Sequence, residues 1–490
     1  MKKAFQITLI AVPAILLLLA IAGVLIVRSQ GFNRYLLAKI IQSAQENTGA
    51  RIGIQKLVVH WSPFTADVYG IVVHGQERDG ARPLLVADHL GISLGLRALL
   101  KHEVDLYSIV VDRPVLYVHA DAHGSTNLPK APPSSSSSNT SLIVRHVALR
   151  DGVVNYNDEQ IPLSAELDDV RAQAEYDAAA NTYKGSLAYG QGHIVTKDMK
   201  PVDHNLQVEF TANRDSITLD PMILASGQTR LSAHAKVTDF ANPKIDGGYE
   251  AVLVTREIGE ILRNPSLPRG EITLSGTIAY QSEPRQPFLK TLRLQGRLDS
   301  PKLAVHANQI STNVNAIHGT YRLQDGNLTV QKLDANLLEG HLSAKMEMRH
   351  LDQTPSTQVN ATIRGVSLQK ISDALPPETR QNVRLLGRAN LSAQASWTNI
   401  SEMKARSHLE INGPTTLPAR SNEIPVNGVV DVDYDGAKES ASFGKSQLQI
   451  ANTELLLSGT VSRNSNLNVE ANAKDLHELT RLASAFSAPS

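Results

Sequence analysis

The chain reads as a mostly β protein held at its start by one membrane-spanning helix, and three observations predict this. Residues Ile7 to Val27 form an uninterrupted apolar run. Most of the remaining sequence alternates between apolar and polar residues with period two. Longer segments then recur at roughly 110-residue intervals, which marks a repeat architecture whose units bury their faces mainly against neighbours.

The run from Ile7 to Val27 carries no charge. As a helix it would extend ~31 Å, the thickness of a hydrocarbon core. Lys2, Lys3 and the small-residue trio Ala20-Ile21-Ala22 also resemble a cleaved export signal. However, Val24 to Val27 keep the run apolar past that point, which favours a retained anchor. Lys2 and Lys3 on one side nearly balance Arg28, Arg34 and Lys39 on the other, so charge alone does not orient it. A large C-terminal body behind an N-terminal anchor is the usual exported design.

Residues Gly31 to Thr48 space Phe32, Leu36, Leu37, Ile40, Ile41 and Ala44 as a short juxtamembrane helix would, with Gly49 at its C-cap. Strands are predicted at Ile52–His60, Phe64–His74, Leu84–Leu94, Glu103–Val111 and Pro114–Ala120, with a helical turn at Arg97–His102. The Pro- and Ser-rich stretch from Pro129 to Ser141 reads as a flexible linker. This divides the chain into an anchor (1–30), a juxtamembrane helix with an N-terminal β module (31–128), the linker (129–141) and a repeating body (142–490).

Within the body, segments Asn213 to Val237, Tyr321 to Met346 and Val432 to Val461 share an order of turn, strand, link and strand. Between them, Ala251–Leu267, Ala361–Leu375 and Ala471–Ala485 each pass from a strand into a brief helical pattern. Strands follow the first two at Glu271–Tyr280 and Arg388–Trp397.

The alternation selects the candidate functional residues. Leu231, Ala233 and Val237 oppose Arg230, Ser232, His234 and Lys236. Ile272, Leu274 and Ile278 oppose Glu271, Thr273 and Thr277, and Leu292, Leu294 and Leu298 oppose Arg293, Gln295 and Arg297. Likewise Leu342 and Met346 oppose His341 and Lys345, and Leu391 and Ala393 oppose Asn390 and Ser392. Each strand is therefore oily on one face and wet on the other. Roughly 30 such strands would expose ~3,000 Å² of apolar surface, far beyond what a soluble monomer leaves bare. Two solutions remain open: the sheet folds on itself around a packed core, or it curls into a groove for an apolar ligand. Few aromatics and many Ala and Gly residues leave room for the second.

Other functions find little support. Lys plus Arg equal Asp plus Glu at 48 each, so no global basic footprint for nucleic acid exists. The chain has no Cys and therefore no disulfides. His102-Glu103 and His477-Glu478 begin like a helical zinc motif, but Leu106 and Arg481 stand where the second His is needed. Gly190-Gln-Gly192 lacks a third glycine and a nucleotide-fold context, so a strand or turn is its plain reading. Asp168-Asp169 reads as a solvated pair. No enzyme activity, cofactor or metal is expected.

These features together are similar to the AsmA-like family of bacterial envelope proteins, of the AsmA/TamB type. The resemblance rests on the basic start and anchor, VDRPVLYVHADAHGSTNLP (Val111 to Pro129), the Ser-rich break, LRDGVVNYND (Leu149 to Asp158) and the repeating strand and short-helix units. It implies an inner-membrane anchor, a periplasmic body built as an elongated, curved antiparallel β-sheet groove, and phospholipid movement between inner and outer membrane, as in chorein-type bridge proteins. The implied partners are phospholipids, the inner membrane, and an outer-membrane β-barrel or further envelope protein. Ala485 to Ser490 end soon after a strand and helix unit begun at Leu467, and no outer-membrane-interacting terminal domain is recognised. A short or truncated family member is the corresponding expectation.

Overall fold

The computed structural model describes residues 37–473, except 39–40, 43–44, 47, 61–64, 79, 95–104, 124, 130–142, 160–161, 198, 241, 284–285, 308–309, 375–383 and 415–422. The apolar run Ile7–Val27, the turn Arg97–His102, nearly all of the linker and most of the third helical unit lie outside these residues. Among the described residues no helix is long and apolar enough to cross a membrane. The chain forms two compact units, dividing between Arg214 and Asp215.

The first unit contains eight strands that pair in chain order: β1 (Arg51–His60), β2 (Thr65–His74), β3 (Leu85–Leu94), β4 (Asp105–Ala120), β5 (Ile143–Asp158), β6 (Leu163–Asp177), β7 (Thr182–Thr196) and β8 (Val202–Ala212). Residues 37, 38, 41, 42, 45, 46 and 48 are helical, as the spacing predicts. Leu37 packs on the cluster of Leu57, Val68, Ile71 and Ala87, covering the apolar face at the first strands.

Two expectations are corrected by the pairing. The runs Glu103–Val111 and Pro114–Ala120 are one strand, β4. Not every pair is antiparallel either: β4 and β5 run parallel, so the strands on either side of 129–141 are neighbours in one sheet. Pro114 lacks an N–H and reads in sequence as a strand end, yet it is tolerated because it falls at a bulge.

That bulge belongs to a column crossing the unit. The regular pairing skips a step at Gly70 between β1 and β2, at Asp88 and Arg113 between β3 and β4, and near Asp151 and Asp169 further along. Gly70, Arg113, Asp151 and Asp169 all have positive φ, at 63°, 49°, 52° and 55°. Each irregularity shifts the alternation by one residue. Ile54 and Leu57, Val68 and Ile71, and Leu149 and Val154 differ in parity yet serve one apolar face. Bulges bend a strand and increase its twist, so their alignment creases this sheet along a line.

The second unit runs antiparallel from β9 (Ser216–Ser226) through β10 (Thr229–Thr238), β11 (Lys244–Val254), β12 (Arg269–Gln281), β13 (Leu292–Ala307), β14 (Ile310–Gln324), β15 (Asn327–Leu337) and β16 (Gly340–Arg349) to β17 (Ser356–Ser367). It continues through β19 (Arg388–Trp397), β20 (Lys404–Asn412), β21 (Glu423–Asp435), β22 (Ser440–Ile450), β23 (Thr453–Val461) and β24 (Asn466–Ala473). The three-residue β18 (Arg384–Leu386) stands aside and pairs in parallel with the start of β21. The described strands thus number 24 where roughly 30 are expected from the sequence.

Helices α1 (Thr255–Ile261) and α3 (Leu368–Asp373) fall inside the predicted helical patterns, and α2 (Phe288–Thr291) is a single turn. Because β11 and β17 point the same way, α1 and α3 leave the sheet at the same edge. Thr255 fixes the first by exchanging hydrogen bonds with Gly270, donating to its carbonyl at 2.9 Å and accepting from its N–H at 2.8 Å. Helix α3 and β18 close over the strand ends and seal a core of Val366, Leu368, Ala389, Ile411, Ile424, Val426 and Ile450. That core is local.

Candidate functional site

In an antiparallel ladder, directly opposed residues share a face, so the register alone shows what each face carries. One lateral line crosses ten strands of the second unit as Leu224, Leu231, Ala251, Leu274, Leu298, Gly319, Leu333, Ala344, Ala361 and Ala393. It has no polar member. The adjacent line runs Ala233, Tyr249, Gly276, Gly296, Tyr321, Val330, Met346, Val359 and Ala395. A third opposes Ile278 to Leu294 and Leu294 to Leu323, and a fourth joins Val237, Ile245, Tyr280 and Leu292. Ile272 opposes Leu253, while Leu342 and Leu391 flank Ile363.

All thirteen residues selected from the sequence therefore lie on one face of one sheet. The other face differs throughout: His234, Gly248, Thr277, Gln295, Arg322, Thr329, Glu347, Gln358, Ser396 and Lys404 form its matching line.

The apolar lines are half-buried. Of the thirteen residues only Leu292 is buried, at 7% exposure, whereas a face roofed by a second layer would bury nearly all of them. Among the described residues α3 and β18 roof only one end, and twelve of the thirteen residues stay partly exposed. An apolar face of this extent, unroofed over most of its length among the described residues, is larger than a soluble monomer usually exposes.

A polar interruption crosses it. Tyr249 and Tyr321 lie on the same line with Gly276 and Gly296 between them, and their hydroxyls meet. A Cβ at Gly296 would lie 2.7 Å from the Tyr321 hydroxyl, so the two rings need the bare backbone beneath them. Burial, with the Tyr249 hydrogen bond, raises the Tyr321 pKa and keeps the phenol neutral. Alternation gives no sign of this bar, although aromatic residues and glycines at facing positions are its trace.

The first unit carries corresponding lines, such as Val68, Leu90, Val111, Leu149, Ala172, Leu187 and Val208. Another ends in Leu167, Gly192 and His204. His204 is 9% exposed, neither ring nitrogen has a partner among the described residues, and Tyr189 meets the ring edge-on at 5.4 Å. Its imidazole occupies the space above Gly192, where a Cβ would come 2.2 Å from Nδ1. Gly190-Gln-Gly192 is thus strand β7 at a bulge, and Asp169 pairs with Arg171 on the surface.

On the polar face of this unit, the side chains of His60, Asp67, His89, Asp112 and Arg150 alternate between basic and acidic types across five strands, with His89 holding Asp112 at 2.7 Å and Asp67 at 2.9 Å. His204 and His89 respond oppositely to pH. Burial lowers the His204 pKa, so the unfolded chain takes up that proton first and stability is lost as pH falls below about 6.5. The Asp112 hydrogen bond, with Asp67, raises the His89 pKa, so its contribution is complete below about 6.5 and is lost as pH rises through the raised value. Urea midpoints across this range should show less acid-side loss in His204→Leu than in the parent. His89→Gln should remove part of the alkaline-side loss.

Among the described residues no group of three or more His, Asp or Glu side chains converges as a metal site. A search of curated proteins finds no match. The AsmA family matches residues 1–322, about two thirds of the chain, including the bulged first unit and the second unit as far as β14. With a sheet whose apolar lines continue past that limit, the chain belongs to the AsmA family.

Proposed function

We propose that this is a non-enzymatic, membrane-anchored periplasmic protein that carries phospholipid between inner and outer membrane along its apolar sheet face, contributing to outer-membrane biogenesis. The observation that carries this reading is the unbroken apolar line from Leu224 to Ala393, of whose ten members only Ala251 and Gly319 are buried. Acyl chains lying on it leave water at a gain of about 0.8 kcal/mol per CH₂. Successive strands offer closely similar contacts, so a chain can move sideways without climbing a large barrier. The run Ile7–Val27 would hold the protein in the inner membrane, and the polar opposite face would stay in water. Full-length protein extracted in mild detergent should therefore retain phospholipid detectable by mass spectrometry. A preparation free of lipid would reject the proposal.

One observation favours a second reading. Strand β24 is exposed almost throughout and pairs only with β23 among the described residues, leaving Val469 52% exposed. Such an edge accepts an added strand, as a scaffold for outer-membrane β-proteins would require. Changes at β24, rather than at Leu274, would then carry the phenotype.

A further inference from the structure

The first unit has a walled cavity on its polar face, opposite the apolar lines, of about 730 Å³. Its floor is the sheet itself. Tyr117 opposes Asn155, Asn155 opposes Glu166 and Glu166 opposes His193, while His119, Asn157 and Ser164 form the next line. Its wall is built from the segments following β2 and β4. These segments are fixed to each other, since the Gln76 N–H donates to the Asn127 carbonyl at 2.8 Å. Asn127, 7% exposed, ties the wall to the floor by donating to the Tyr117 carbonyl at 2.7 Å and accepting from the His119 N–H at 2.9 Å. Asp121 is committed to the turn, accepting from the His123 and Ser125 N–H groups. Glu77 is likewise committed to Gly75 and His74.

On the floor His193 is held by Asp203 at 2.6 Å and His119 by Glu159 at 3.6 Å, but four other side chains are not committed. Asn155, Asn157, Ser164 and Glu166 make no side-chain hydrogen bond or ion pair among the described residues, although all four line the cavity. Arg82 lies over the Tyr117 ring at 5.2 Å without a carboxylate partner among the described residues, and Arg78 lines the same wall. The free set mixes donors and acceptors: two amides and a hydroxyl that do both, a carboxylate that only accepts, and the Arg82 guanidinium, which only donates. An anion would leave the Glu166 oxygens and the amide carbonyls without donors. A cation would leave the Arg82 guanidinium unmatched.

Only a ligand whose own groups both donate and accept satisfies the whole set. The groups stand about 5 Å apart across strands and about 7 Å apart along them, a mesh that matches hydroxyls on one sugar ring and its neighbour. The geometry points to an uncharged saccharide segment as the occupant of this cavity. The site is independent of the lipid reading, since it uses the opposite face and none of the apolar lines. It would let the protein hold an envelope glycan while the other face carries acyl chains.

The test uses full-length protein in a detergent without a sugar head group, with saturation-transfer NMR against maltose, cellobiose and diacetylchitobiose as probes and inorganic phosphate as competitor. Asn157 and Glu166 are exposed, so Asn157→Leu and Glu166→Gln should fold normally, which circular dichroism checks. At least one disaccharide should show transfer, both variants should weaken it about tenfold, and phosphate should not displace it. Absence of transfer from all three sugars, equal transfer in the variants, or displacement by phosphate would each overturn the assignment.

Discussion

Replacing Leu274 and Leu294 together by glutamate is expected to reduce phospholipid bound to the purified protein at least tenfold while leaving its circular dichroism unchanged. Leu274 belongs to the line from Leu224 to Ala393, and Leu294 stands two lines away, opposite Ile278. A carboxylate at each would place two charges across the path of an acyl chain. Burying either beneath a hydrocarbon tail costs several kcal/mol unless it takes up a proton, which exceeds the gain from several CH₂ groups. The fold should tolerate the change because both positions already meet water. Ser275→Glu and Gln295→Glu, on the opposite face of the same two strands and with the same change in net charge, are the matched control and should leave bound lipid near the parental amount. Equal loss in the control pair would mean that net charge, rather than the apolar line, governs binding.

The second expectation concerns stability. Ile424→Ala should destabilise the second unit by about 2–4 kcal/mol, whereas Leu274→Ala should cost on the order of 1 kcal/mol. Ile424 is 7% exposed and opposes Leu385 of β18 in the core that α3 closes, so truncation leaves a cavity. Leu274 is half-buried with nothing described above it, so truncation removes contacts without opening a void. Trp397 at the end of β19 provides a fluorescence reporter within this unit. If Leu274→Ala proved as costly as Ile424→Ala, the apolar face would be a closed core in solution. Bound lipid would then need another location.

Much of this architecture is legible in the sequence where strands are regular. Alternation in Leu231–Val237, Ile272–Ile278 and Leu292–Leu298 identifies the apolar face, because without bulges in these stretches parity and face coincide. The helical patterns in Ala251–Leu267 and Ala361–Leu375 locate α1 and α3, since three to four residues per turn is a different period. Where bulges intervene, parity no longer reports the face. Asp112-Arg113-Pro114 and Arg150-Asp151-Gly152 look like strand ends but are aligned bulges in continuous strands. The parallel pairing of β4 and β5 is a long-range choice that no local pattern encodes. The polar-face cavity is equally hidden, because its residues sit at ordinary solvent-facing positions and the segments that wall it are separated from its floor in sequence.

Photo-crosslinking from single positions on the two faces tests the central claim most directly. A photoreactive residue placed at Leu274 or Leu298 in the full chain should form phospholipid adducts, and one placed at Ser275 or Arg297, on the neighbouring polar line, should form none. Adducts of equal yield from both faces, or from neither, would contradict a lipid path along the apolar lines.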